Sequence, residues 1–503
     1  MLSLPRLGAA PSRPIGLSWP ANGRNAVWLP WVLLGALGLL SGIIVAALPP
    51  FAALVAVLGA IASAYMFINP LAGLIGFCAV ATLLPFGVIP VKLGARLTFL
   101  DAVLGILTFV WLLRLVRASG QVRPHGAQPV LLRRFTWLVL LWIAVSSLSF
   151  VTGAGFGVPH GDVIRYYLKI ILATILFVIT IDIVRERAAV RKIAASLVLG
   201  GFAASATGIV LYFMPHGLAG RLLSALHVVG YPSGANVLRF RVDFNHAERA
   251  IATSVDPNVL GGLLVLTGAM AVSQLFAREH VVPRWLAAAS SATIGLCLLL
   301  TYSRGAWIAM AIALVFMATW QYRRLLVLLA LAFFVFLQLP ASHTFTTEFQ
   351  SGVHAKDKAA AMRLGEVKDS IRLITRYPFF GVGFGGAPDR DIYVGVSNIY
   401  LQMAEETGIV GLSLFLVTGV AFLLVLLRSL PGIRDPQLLG IALGTFGGSI
   451  GAFTAGMFDR YFFSYPHDIA LMWFYLALSL AIVAIDQRNR GDAPSTAALP
   501  ATA

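Results

Sequence analysis

Residues 381–412 read GVGFGGAPDRDIYVGVSNIYLQMAEETGIVGL, a polar, glycine-rich loop that passes straight into an apolar helix with Glu405 and Glu406 at its mouth. The apolar run continues through 407–427, about the 20 residues that cross a bilayer. A polar loop opening onto such a helix lines a site. The rest of the chain repeats the apolar theme: hydrophobic residues fill 59% of 503 positions, charged residues only 12%, and the mean hydropathy is +0.86. Soluble domains are roughly 45–50% apolar, so the chain reads as an all-α polytopic membrane protein.

Apolar runs predict roughly fourteen membrane helices, near 26–48, 51–68, 71–90, 98–116, 135–152, 166–184, 193–213, 259–277, 285–301, 305–319, 325–339, 407–427, 438–456 and 469–485. Twelve is the alternative count, with the pairs meeting at Pro49-Pro50 and Asn69-Pro70 broken or re-entrant. The net charge of +16 falls in short clusters between apolar runs, which is the positive-inside pattern and not a nucleic-acid stripe. Arg114, Arg117, Arg123, Arg133 and Arg134 make one cluster, and Arg185, Arg187, Arg191 and Lys192 a second. Arg323 and Arg324, then Arg428 and Arg434, continue it. With those clusters cytoplasmic, residues 1–25 and 486–503 are cytoplasmic tails, and 26–213, 259–339 and 407–485 hold the membrane helices. Residues 214–258 and 340–406 are then long loops on the outer side. Arg6, Arg13 and Arg24 precede no small-residue cleavage site, so the first 25 residues are expected to stay on the chain. Cys78 and Cys297 lie in apolar runs, which argues against a structural disulfide.

Within the second loop, Ala360, Leu364, Val367, Ile371 and Ile374 recur at helical spacing. They predict an amphipathic helix on the membrane's outer surface or over a cavity, ended by Arg376-Tyr377-Pro378. Residues 381–386 match G-x-G-x-x-G, but that fingerprint needs a strand before it and a helix after it. A tight turn is expected instead, with backbone amides available to a phosphate. Val237 to Phe244 alternate apolar and polar side chains as a short strand would. Thr301 to Trp307 interrupt an apolar stretch and place Arg304 at its outer boundary, where charge is costly and usually functional. Arg249 and Asp256-Pro257-Asn258 precede another apolar run, with Asp256 placed to cap its helix. His343, His354 and His467 fall on the outer side, as does Asp459-Arg460-Tyr461. No metal spacing, P-loop or G-x-S-x-G appears.

Three of these blocks, in order, resemble the O-antigen ligase and Wzy polymerase family. The opening stretch is similar to its signature of Gly-x-Gly-x-Gly, then His-Asn-x-x-Leu, then Glu-x-Gly-Ile-x-Gly-Leu. Asn398, Leu401, Glu405, Gly408, Ile409, Gly411 and Leu412 stand in register, and Ser397 replaces the histidine. Ser303-Arg304-Gly305 matches the family's Ser-Arg-Gly, and Arg249 with Pro257-Asn258 matches an arginine before a helix-opening Pro-Asn.

The resemblance implies a GT-C-like architecture and a metal-independent membrane glycosyltransferase, without nucleotide or other cofactor. It would act on a polyprenyl-diphosphate-linked glycan with a glycan or lipid acceptor. The setting would be the outer face of the bacterial inner membrane, beside other polysaccharide assembly proteins and with no nucleic acid. Arg304, Arg249, Arg363 and Arg241 are the candidates to hold the diphosphate, because a guanidinium offers bidentate donors and keeps its charge. Glu405, His467, Ser397 and Asn398 are the candidates for handling the acceptor hydroxyl. Serine alone cannot take a proton near neutrality as histidine can, so His467, Glu405 or positioning alone remains for that task. A lipid-linked sugar flippase and a non-catalytic scaffold are the competing readings.

Overall fold

The computed structural model describes residues 50–90, 97–118, 129–231, 248–338, 358–385 and 395–491. The chain divides into two compact units, Met1–Ala60 and Ile61–Ala503. In the first, the described residues 50–60 are the opening turns of helix α1 (Pro50–Ile68). The second is built from α2 (Pro70–Leu83), α3 (Phe99–Ala118), α4 (Val130–Gly153), α5 (Gly161–Ile183), α6 (Arg187–Phe213) and the short α7 (His216–Ala225). Then follow α8 (Pro257–Phe276), α9 (Arg284–Leu300), α10 (Arg304–Trp320), α11 (Arg323–Gln338), α12 (Lys358–Arg376) and α13 (Ile399–Ser429). The described chain ends in α14 (Pro436–Ala455), the one-turn α15 (Tyr461–Ser464) and α16 (Pro466–Gly491). No strand occurs among the described residues, only an isolated antiparallel bridge between Val88 and Thr98.

The protein is an all-α polytopic membrane protein, and every apolar run expected from residue 51 onward falls on one of these helices. Eight described helices are long and apolar enough to cross a membrane, fewer than the fourteen expected. Helices α9 and α10 have 17 residues each, about 26 Å at 1.5 Å per residue against a hydrocarbon core of roughly 30 Å. The run expected over 71–90 is helical only to Leu83, since Pro85 restrains Leu84 and ends the helix. The first expected run, 26–48, and the strip Val237 to Phe244 lie outside the described residues.

Side-chain caps set where several helices begin. Asp256 Oδ1 accepts the amides of Asn258 and Val259 at 2.7 and 3.2 Å, and Asp435 Oδ1 those of Gln437 and Leu438 at 2.9 and 3.1 Å. A proline follows each cap, at a position whose missing N–H costs nothing. Helix α16 is the central post, with its whole apolar window buried by neighbours. Helix α14 packs on α8 through small residues: Gly451 leaves no space for a Cβ beside Val265, and a Cβ at Gly444 would crowd Met270 at 3.0–3.1 Å. In lipid, such close backbone approach supplies the dispersion energy that hydrophobic driving force supplies in water.

Alternation of helix direction gathers the polar ends into two sets. At one end, Arg187 pairs with Glu279 (2.9 Å) and Asp435 (3.1 Å), tying the start of α6 to the α8–α9 turn and the start of α14. At the other end meet the C-termini of α4, α9 and α14 and the N-termini of α8, α10, α13 and α16. Cys78 and Cys297 are buried, free thiols.

Candidate active site

Two tight loops carry the arginines. Arg249 donates from Nε to the Thr301 carbonyl at 2.7 Å and from Nη2 to Asn258 Oδ1 at 2.7 Å, and the Ala250 amide bonds the Leu300 carbonyl at 2.9 Å. One side chain thus clamps the loop before α8 to the α9–α10 turn. Arg304 is the first residue of α10, directly after Ser303, and Gly305 leaves no room for a Cβ against Phe458. Among the described residues, the non-glycine residues with positive φ are Ala252 (47°), Val255 (62°) and Tyr302 (50°). All three lie in these two loops. A β-branched residue in that region is strained, and such strain persists only where surrounding structure over-determines it, as at functional sites.

The glycine-rich loop plugs a break in α13. At Gly408 the backbone turns to φ 69° and ψ −177°, and the helix restarts beyond it. The break frees the carbonyls of Glu405 and Glu406 and the amides of Ile409 and Val410. The loop satisfies all four: Val382 N bonds Glu405 O at 2.8 Å, Gly383 N bonds Glu406 O at 3.0 Å, and Ile409 and Val410 donate to Pro378 and Phe379 at 2.7 and 3.4 Å. Ser149 of α4 adds its hydroxyl to Phe380 O at 2.6 Å and to Glu406 O. Non-helical backbone at membrane depth is tolerated only when buried and paired in this way. Gly381 (φ 65°) and Gly408 oppose each other's backbone so closely that a Cβ on either would overlap main-chain atoms. The expectation that these amides face a phosphate is corrected for Val382 and Gly383, whose N–H groups are already engaged by α13.

A charged cluster surrounds the start of α13. Asn398 caps it, its Oδ1 accepting the amides of Tyr400 and Leu401 at 2.9 and 3.1 Å while its Nδ2 donates to Met457 O at 3.0 Å. Ser397 donates its amide to Glu366 Oε2 of α12 at 3.1 Å. Glu405 is buried and stands within electrostatic reach of Glu366 and Arg460, beside Ser370. Asp459, in the turn between α14 and α15, faces Asp256, Arg363 and Arg460. Burial, with the Asp256 charge adding to it, pushes the Asp459 carboxyl up to about 6. Tyr465 is raised as well, by burial and then by the Asp256 carboxylate. Gln402 links the inner side: its Nε2 donates to Glu406 at 2.8 Å, and its Oε1 accepts from Ser464 at 3.0 Å.

Helix α12 closes this cluster with an unexpected face. Two residues of the apolar stripe that revealed it point outward, Leu364 58% and Ile371 51% exposed, whereas Glu366, Ser370 and Leu373 are buried. The described residues of the helix run from Lys358 to Arg376, where the expected stop at Arg376-Tyr377-Pro378 falls. Arg372 and Arg376 are exposed, Arg372 pairing with Asp369 at 3.6 Å.

Of the residues singled out from the sequence, Arg249, Arg304, Arg363, Ser397, Asn398 and Glu405 come together at one end of the helices. Arg241 lies outside the described residues, as do His343 and His354. His467 is 1% exposed, its ring edge-on to Phe86 with centroids 5.1 Å apart and its Nε2 3.7 Å from the buried Asp468. That environment is packed core. Sequence reasoning passed over Glu366 and left Arg460 unassigned, and both stand in the cluster. Among the described residues, no three His, Cys, Asp or Glu side chains are grouped to hold a metal.

The arrangement offers cations at two helix junctions, carboxylates close to them and buried apolar walls, the components for stabilising a departing anion while a hydroxyl is oriented. No curated protein matches the chain. Residues 289–416, which run from within α9 through the Ser-Arg-Gly turn and α12 to the restart of α13, match the O-antigen ligase family model, and this match supports membership of the O-antigen ligase/Wzy family.

Proposed function

We propose that the protein transfers glycan from a polyprenyl diphosphate carrier to a glycan or lipid acceptor at the outer face of the bacterial inner membrane. The observation that carries this reading is the clamp at the helix junction, where Arg249 ties its loop to the Ser-Arg-Gly turn and Arg304 opens α10 beside the Asp459–Arg460 turn. A polyprenyl diphosphate is an activated leaving group, so cations that stabilise the charge developing on it supply much of what the reaction needs. Nucleotide and metal are not required by that chemistry. The opposite end of the helices carries Arg185, Arg187, Arg191, Arg434, Arg488 and Arg490, which by the positive-inside rule faces the cytoplasm together with both termini. The site then opens outward.

Whether the acceptor is a growing chain or a separate molecule separates polymerase from ligase, and the Ser397 replacement favours the polymerase. Purified protein in lipid nanodiscs, given a lipid-linked repeat unit and an acceptor, should release polyprenyl diphosphate and lengthen or modify the acceptor with a chelator present. Transbilayer movement of the donor without glycosidic bond formation would assign a flippase instead.

A further inference from the structure

Ser397 stands where the family keeps its proposed base, and the carboxylate bonded to that position comes from a different element. Glu366 projects inward from α12 and accepts the Ser397 amide at 3.1 Å. It is only 7% exposed although it sits on a surface helix. One turn further along, the fully buried Ser370 stands beside the Glu405 carboxylate. Glu405 of α13 faces this helix, Arg460 and Asp459 approach from the turn before α15, and Arg363 and Asp369 flank Glu366 on its own helix. A buried polar face turned into a charged cluster, with Leu364 and Ile371 outside, is the reverse of what packing alone selects.

We propose that Glu366 is the general base for the acceptor hydroxyl, occupying the role left open by Ser397; this rests on the glycan-transfer reading above. In the step, the acceptor oxygen bonds to the anomeric carbon and its proton passes to the Glu366 carboxylate. The bond from that carbon to the diphosphate oxygen breaks, and its electron pair leaves with the polyprenyl diphosphate. Glu366 suits the task better than the two alternatives. His467 is walled in by Phe86 and Asp468. The Glu405 main chain is fixed by the helix break, nearly two turns into α13 from the Asn398 cap next to Ser397.

The test compares wild type, Glu366→Gln, Ser397→His and the double variant as full-length protein in nanodiscs with a lipid-linked donor. Glu366→Gln should lower kcat by about 100-fold or more, within the usual range for loss of a general base, with KM for the donor within about threefold. Adding Ser397→His to Glu366→Gln should restore at least about tenfold. The acid limb of its pH–rate profile should then sit near the imidazole value of about 6.5. Activity of Glu366→Gln within about threefold of wild type would overturn the assignment alone. A loss that Ser397→His fails to relieve, or that appears only in KM, would do the same and leave Glu366 as a support for Ser397. Absence of transfer by wild type would remove the glycan-transfer reading and this assignment together.

Discussion

The carbonyl of Glu405 accepts the amide of Val382 at 2.8 Å, and this bond joins the two halves of the glycine-rich signature across a broken membrane helix. Breaking α13 at Gly408 exposes backbone groups that lipid cannot satisfy. The loop supplies their partners, so the loop and the break depend on each other. The carboxylate of Glu405 is thereby held toward α12 and Arg460 at a fixed depth.

Gly408→Ala should disrupt this junction. The position has φ 69°, and an added Cβ would overlap the Phe379 main chain. With ψ −177° the residue sits in a region essentially reserved for glycine, which costs an alanine about 1–3 kcal/mol, and the overlap adds to it. The expected outcome is a clear drop in thermal stability of the purified protein and loss of activity. Gly385→Ala, whose Cβ would meet only Val163 at 3.9 Å, should leave both unchanged. Equal tolerance at the two positions would show that the plug is not needed.

Asp459 predicts a pH dependence. Its carboxyl is raised to about 6 in the fold, above the ordinary value near 3.9, so the folded state binds the proton more tightly than the unfolded chain. Stability from this group is therefore greatest at low pH, declines as pH rises from about 4 to about 6, and is flat above. Asp459→Asn should remove that decline and raise the melting temperature near neutrality relative to wild type, read as Tm against pH from 4 to 7.5. Parallel Tm profiles for the two proteins would contradict the assignment.

Much of the fold was legible because the bilayer imposes one dominant pattern. The apolar runs from residue 51 onward became helices, and Asp256-Pro257 and Asp435-Pro436 marked two starts by cap chemistry. Local sequence carried less of the site. Apolar periodicity found α12 through Leu364 and Ile371, yet the face turned inward holds Glu366 and Ser370. A helix that turns Glu366 and Ser370 into a charged cluster reverses the usual sense of that pattern. The break at Gly408 was equally hidden: Glu405 to Leu412 look like continuous helix until the backbone of residues 378–383 is seen to enter it. Arg249 was legible as a candidate cation, whereas its bond to Thr301 depends on a contact between loops 52 residues apart.

The arginines should separate by role. Arg249→Lys keeps the charge and loses the paired geometry on Thr301 O and Asn258 Oδ1, so both stability and activity should fall, stability by about 1 kcal/mol for the two part-buried hydrogen bonds. Arg304→Lys should fold normally and retain weak activity, since a lysine offers charge without the bidentate fork. Thermal melts and donor turnover on the two variants check this. A stable, fully active Arg249→Lys would remove the clamp from the account.

The most direct test is the profile of surface glycans and of the lipid-linked pool in a deletion strain complemented with wild type or Arg304→Ala at matched abundance. The expected result is restored surface glycan with wild type, and carrier-linked glycan accumulating on the outer face with Arg304→Ala. Single repeat units would identify a polymerase, and long chains stranded on the carrier a ligase. Normal surface glycan with Arg304→Ala, or intermediates held on the cytoplasmic face of the deletion strain, would contradict the assignment of this end of the helices as a glycan-transfer site.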